Sequence, residues 1–170
     1  MKSVLISIQP KWCERIAARW KTLELQKSRP NISVPFKCYI YQTRHKWVFS
    51  LLRRLGMGAL ADILTKGSGK IVGQFVCDHI LGHCEMANAD IAEQQANVRR
   101  KKILEYSGGK EVYGWHISNL RIYEKPKDLS DFGTKHKCNL SRKCTEQGFL
   151  CAGYCKLTRP PQSWCYVEEL

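Results

Sequence analysis

Apolar and polar residues alternate at the start of the chain, where Val4, Ile6 and Ile8 predict a first strand. The period then lengthens. Cys13, Ile16, Ala17 and Trp20 fall at i, i+3, i+4 and i+7, while Lys11, Glu14, Arg15 and Arg19 point elsewhere. Pro10 suits a first helical turn, where a missing N–H costs nothing, so the stretch predicts a short amphipathic helix. Alternation returns from Thr22 to Lys27, with Leu23 and Leu25 toward a core and Thr22, Glu24 and Gln26 sharing the opposite face. After Pro35, FKCYIY predicts another strand, with Cys38 as a small buried hydrophobe. Lys70 to Asp78 is apolar on both sides near its middle and reads as a central strand in which Gly73 permits close backbone approach. Gly114 to Tyr123 follows, its pattern switching near Asn119, where a bulge or twist is expected. Ser163 to Glu168 closes the set.

Between the strands the pattern is helical or irregular. From about His45 to Thr65, regularly spaced apolar residues and the charges of Arg44, His45, Lys46, Arg53 and Arg54 describe a basic amphipathic helix, interrupted near Gly56 and Gly58. His83 to Tyr106 is polar and alanine-rich, and is expected to be helical with the run Arg99 to Lys102 on a solvated face. Glu124 to Pro161 reads as loop, rich in Lys, Pro, Gly and Cys. About six strands interrupted by helices indicate an α+β domain with a small mixed barrel rather than a doubly wound sheet. At 170 residues the chain is one domain, residues 1–170, with a Cys-rich loop inserted at about 133–158.

Charge changes this ordinary picture. Lys and Arg number 28 against 15 Asp and Glu, a formal +13, which points to a polyanionic partner. Nine cysteines raise the question of a secreted disulfide protein, but the N-terminal apolar stretch is short and interrupted and lacks a small-residue cleavage site, so a cytoplasmic location is expected. No stretch approaches the roughly 20 apolar residues of a membrane span. Reduced, clustered cysteines then read as metal ligands. Cys138, Cys144, Cys151 and Cys155, preceded by His136, are expected to hold a structural Zn ion with no open position for water. Free thiols on a loop are the alternative.

Glu24, near Lys21 and followed by Lys27 and Arg29, sets one carboxylate within a cationic rim, an arrangement suited to a nucleobase and its phosphate. Thr22 shares that strand face, and Arg53 and Arg54 of the basic helix add phosphate contacts. Trp115, His116 and Trp164 lie in late strands, where an aromatic face stacks on an unpaired base and polar neighbours read its edge. One of the two tryptophans is expected in the core instead.

The helix followed by KTLELQKSRP, Lys21 to Pro30, resembles the ASCH domains, relatives of the RNA-binding PUA fold, whose signature is roughly G-x-K-x-x-E-x-R. Gly69 to Asp78, Tyr113 to Phe132 and Thr158 to Glu169 look like the later strands of a phage and Firmicute subgroup of that family. Arg19 stands where the Gly is usual and Gln26 where the Arg is usual. The resemblance implies a PUA-like mixed β-pseudobarrel and an RNA- or modified-nucleotide-binding protein of phage or mobile-element origin. Its ligand would lie in the cavity beside the Lys21–Glu24 strand. In ASCH amidohydrolases acting on N4-acetylcytidine, the resemblance implies a catalytic Lys, a Thr three residues later and a Glu on another strand. Lys21 matches the Lys, but Glu24 occupies the Thr position, so binding is favoured over catalysis. A hydrolase of modified nucleosides or a ribonuclease, working through Lys21 and Glu24, and a phage protein that binds a host protein remain alternatives.

Overall fold

The first strand, β1 (Ser3–Ile8), is buried along nearly its whole length. It belongs to a computed structural model that describes residues 3–44, 51, 54–57, 67–82, 89–135 and 154–170. In chain order there follow α1 (Pro10–Ala17), β2 (Leu23–Gln26), β3 (Phe36–Gln42), β4 (Ile71–Cys77), β5 (Ile80–Leu81), α2 (Ala89–Ala96) and α3 (Arg100–Ser107). Then come β6 (Tyr113–His116), β7 (Ser118–Lys127), a 3₁₀ turn at Leu129–Asp131, β8 (Phe132–Lys135), β9 (Tyr154–Lys156) and β10 (Trp164–Glu169).

Seven strands form one sheet in the order β7-β4-β3-β1-β10-β8-β9, and β2-β6-β5 form a second. The α+β class expected from the pattern is observed, with ten strands among the described residues where about six were expected. β1 pairs parallel with β3, Ser3 opposite Lys37 through Ile8 opposite Gln42, and antiparallel with β10. Parallel neighbours need a crossover. Here α1 and β2 make it, which is why the motif-bearing segment lies over the sheet.

Among the described residues, three apolar clusters bind the layers. Val4, Ile6 and Ile8 face Cys13 and Ile16 of α1 and Trp115 of β6, and Leu5 on the opposite face meets Tyr39, Phe132 and Val167. Leu23 and Leu25 of β2 pack on Ala92, Ala96 and Ile103 of α2 and α3. The small sheet is therefore covered by helices on one side and by the large sheet's core on the other.

The apolar stripe predicted through Trp20 stops earlier. α1 ends at Ala17, Arg19 adopts φ 63°, and Trp20 leaves the helix 68% exposed. Where the single helix expected from His83 to Tyr106 is described, there are two, separated by Asn97 at φ 52°. The strand expected from Gly114 to Tyr123 divides at Ile117, whose N–H donates to the Thr22 carbonyl, and Asn119 there has φ 47°. The loop expected after Glu124 instead continues β7 to Lys127 and contains β8 and β9. Gly73 makes the expected close approach: a Cβ there would sit 2.6 Å from the Arg121 carbonyl oxygen on β7. Most of the basic helix, His45 to Thr65, lies outside the described residues.

Candidate functional site

Alternation along β2 places the site. Leu23 and Leu25 turn toward α2 and α3, so Glu24 and Gln26 turn the other way, in register with Trp115 and Tyr113 of β6. Lys21, Glu24 and Gln26 are all buried, at 3%, 7% and 4% exposure. An ammonium has three donors, and two of Lys21's go to backbone carbonyls. Nζ donates to the Leu23 carbonyl at 2.8 Å and the Ala96 carbonyl at 3.0 Å, and lies 3.4 Å from Glu24 Oε2. Glu24 Oε1 accepts from Gln26 Nε2 at 3.4 Å, and Gln26 Oε1 accepts from Ser163 Oγ. Glu24 Oε2 is fully buried and receives no hydrogen bond. A carboxylate with about four acceptor positions is thus left with one long hydrogen bond and one ion pair.

The carboxylate lines a cleft of about 1170 Å³, whose walls also carry Trp12, Lys102, Tyr106 and Ser163. Three cations surround the Trp12 ring, Lys11, Arg15 and Lys21 at 4.7, 5.0 and 5.4 Å from its centre. Arg15 is fixed by α2's end, donating to the carbonyl and side-chain oxygens of Asn97. Burial, and then the charge of Glu24, raises the Tyr106 phenol above its ordinary range. Burial, then Glu24 and Glu14, does the same to the Cys13 thiol. The negative field of Glu24 therefore reaches both α3 and α1.

The sequence-predicted residues do not all converge on this cleft. Lys21 and Glu24 meet in it, and Lys27 lies 4.9 Å over the ring of Tyr106, one of its lining residues. Arg29 lies 5.9 Å from the Tyr113 ring centre. Thr22 is held by its backbone, its N–H on Gln95 and its carbonyl accepting from Ile117, both at 2.8 Å. Trp115 is the core tryptophan, fully buried against Phe36 and Trp164, so both its faces are closed to a base. Trp164 is half-buried and donates its indole N–H to Ser28 Oγ at 3.0 Å. His116, one strand position from Trp115, pairs instead with Asp78 at 2.7 Å, and that hydrogen bond lowers the Asp78 carboxyl's pKa. Arg54 is exposed, and Arg53 lies outside the described residues.

Cys138, Cys144 and Cys151 also lie outside the described residues, while Cys155 is half-buried in β9. Among the described residues no three His, Cys, Asp or Glu side chains gather as a metal site. Trp12, Lys102 and Tyr106 are the residues the sequence reading missed. The available signals were Trp12 between two cations on the first helix and Tyr106 one turn after a basic run.

No protein-family model matches the chain, and no curated protein matches it in sequence. Solved structures do. The ASCH protein of Zymomonas mobilis matches with a TM-score of 0.60 at 15% identity, over 98% of this chain and 88% of that one. A tyrosine-to-phenylalanine variant of it matches at 0.62 and 14%, over 99% and 91%. This chain has the ASCH fold. The ASCH signature positions can now be read physically. Arg19, where Gly is usual, has the left-handed φ of 63° that favours glycine, and Gln26, where Arg is usual, is an uncharged link between Glu24 and Ser163. Among the described residues of this ASCH fold, no helix is long and apolar enough to cross a membrane.

Proposed function

We propose that the protein binds single-stranded RNA or a modified nucleotide, with one base in the cleft beside Glu24. The observation that carries this reading is a buried carboxylate with unused acceptor capacity in the wall of an aromatic, cation-rimmed cleft. The N–H groups of a base edge would supply the missing donors, and a base would stack on Trp12 or Tyr106 by displacing cations that lie over those rings. Lys27, Arg29 and Lys102 would contact phosphate. The formal charge of +13 favours such a partner over a neutral one.

Fluorescence titration with short RNAs of each base, at low and moderate salt, tests the reading. Glu24→Gln keeps the shape but exchanges an acceptor for a donor, so base preference is expected to change more than total affinity. Failure to bind RNA and single-stranded DNA at low salt would overturn the proposal and favour a protein partner.

Hydrolysis of a modified nucleoside, or of RNA, is the second reading, favoured by the same buried carboxylate. Against it, Lys21 is held by two backbone carbonyls and paired with Glu24, and Glu24 fills the position of the family's Thr. Acetylated cytidine is expected to survive incubation with the protein unchanged. We also propose that Cys138, Cys144, Cys151 and Cys155 hold a structural Zn ion, on the ground of their number and closeness in sequence. A phage or mobile-element origin belongs to the same reading.

A further inference from the structure

Trp20 is the most exposed large apolar side chain among the described residues, at 68%. It is not a loose end. Its N–H donates to the Arg15 carbonyl at 2.9 Å, its own carbonyl accepts from Asn97 Nδ2 at 3.3 Å, and Arg19 before it is set in the left-handed region. The Arg19 guanidinium is tied to the Leu120 carbonyl at 3.2 Å. A backbone fixed at both ends thus holds an indole in solvent, and its next residue, Lys21, turns inward to the cleft.

The chain next to the residues that hold Trp20 and Arg19 is cationic. Asn97, which holds Trp20, is followed by exposed Arg99, Arg100 and Lys101, and Leu120, which holds Arg19, by exposed Arg121. The carboxylate of Glu93 is engaged by the Arg100 N–H. An exposed indole on a fixed backbone, in a basic field, suits an unpaired base with its phosphate, whose stacking tolerates any sequence. An apolar protein groove would be poorly matched to that density of arginine.

We propose that Trp20 is a second stacking platform, outside the cleft, for a nucleotide flanking the one held beside Glu24. The inference rests on the binding proposed above and narrows it: the ligand is a strand rather than a free nucleotide. Lys21, which lines the cleft, and Trp20, which is exposed, are consecutive, so the indole stands one residue outside the cleft wall.

The test compares a mononucleotide with single-stranded RNAs of two to eight nucleotides, read by anisotropy for wild type, Trp20→Ala and Trp20→Phe. Trp20→Ala is expected to weaken oligonucleotide binding about 5- to 100-fold and leave mononucleotide binding unchanged, with Trp20→Phe recovering much of the loss. The salt dependence is expected to be the same in all three, since no phosphate contact is removed. Equal oligonucleotide affinity for Trp20→Ala and wild type overturns the platform, and if Glu24→Gln still alters base preference the cleft reading survives it. Self-association of the wild type that Trp20→Ala abolishes, without any change in RNA affinity, would also overturn it and assign the indole to a second copy of the chain.

Discussion

Lys21 brings three donors into the interior and finds two carbonyls and a carboxylate there. Removing the cation would leave Glu24 as a buried charge whose other contact is a long amide hydrogen bond. Lys21→Met is therefore expected to destabilise the fold by about 3–5 kcal/mol, measured by urea unfolding. Adding Glu24→Gln to it should restore a large part, because the uncompensated charge is then gone. This pairing was legible in the sequence, since alternation along β2 and the step from Lys21 to Glu24 define it locally. Trp12, Lys102 and Tyr106 were not, because helices α1 and α3 bring them to the cleft through packing that no local period records. The fate of the two tryptophans was equally hidden: Trp115 and Trp164 have similar strand contexts, and only the layer between the sheets separates them.

Strands whose sequence carries apolar residues at alternate positions announced themselves, and β1 to β4 and β10 were found near their expected positions. The outer half of β7 did not, because Glu124 and Lys125 are exposed and leave no alternating signal, and β8 and β9 are four and three residues long. Helix ends were misread where a non-glycine residue adopts positive φ, as at Arg19 and Asn97, a conformation that residue type announces weakly. One element-level contact that composition did announce is the approach of β4 to β7 at Gly73. An added methyl would meet the Arg121 carbonyl at 2.6 Å, and that backbone has no free side chain to yield. Gly73→Ala is expected to cost about 1–3 kcal/mol, seen as a lower thermal midpoint, without loss of the cleft's chemistry.

Over the whole molecule, buried thiols and phenols tie stability to alkaline pH. Burial raises the Cys38 thiol well above its usual range and pushes Cys77 up to about 12 and Cys165 up to about 11. Burial, then the charge of Glu169, pushes the Tyr123 phenol to about 12. A thiol whose folded pKa exceeds its unfolded value near 8.5 contributes fully below that value and loses its contribution as pH rises through the folded one. Stability under reducing conditions is expected to be level from about pH 7 to 8 and to fall steadily from about 9 to 12, measured as the urea midpoint.

The hairpin partners β8 and β9 carry a different consequence. Lys135 and Tyr154 face each other across the ladder, so the segment joining them begins and ends one rung apart. The Cys-rich stretch therefore leaves β8 and returns to β9 at paired positions of one ladder. Replacing residues 136–153 with an Asn-Gly turn should leave thermal stability of the remaining sheet unchanged or higher, since shortening the closure favours folding by about 2 kcal/mol. The same excision should abolish the roughly one Zn per chain expected from elemental analysis of the intact protein. RNA affinity after excision then tells whether residues 136–153 are separable, free to be gained or lost without disturbing the domain that carries them.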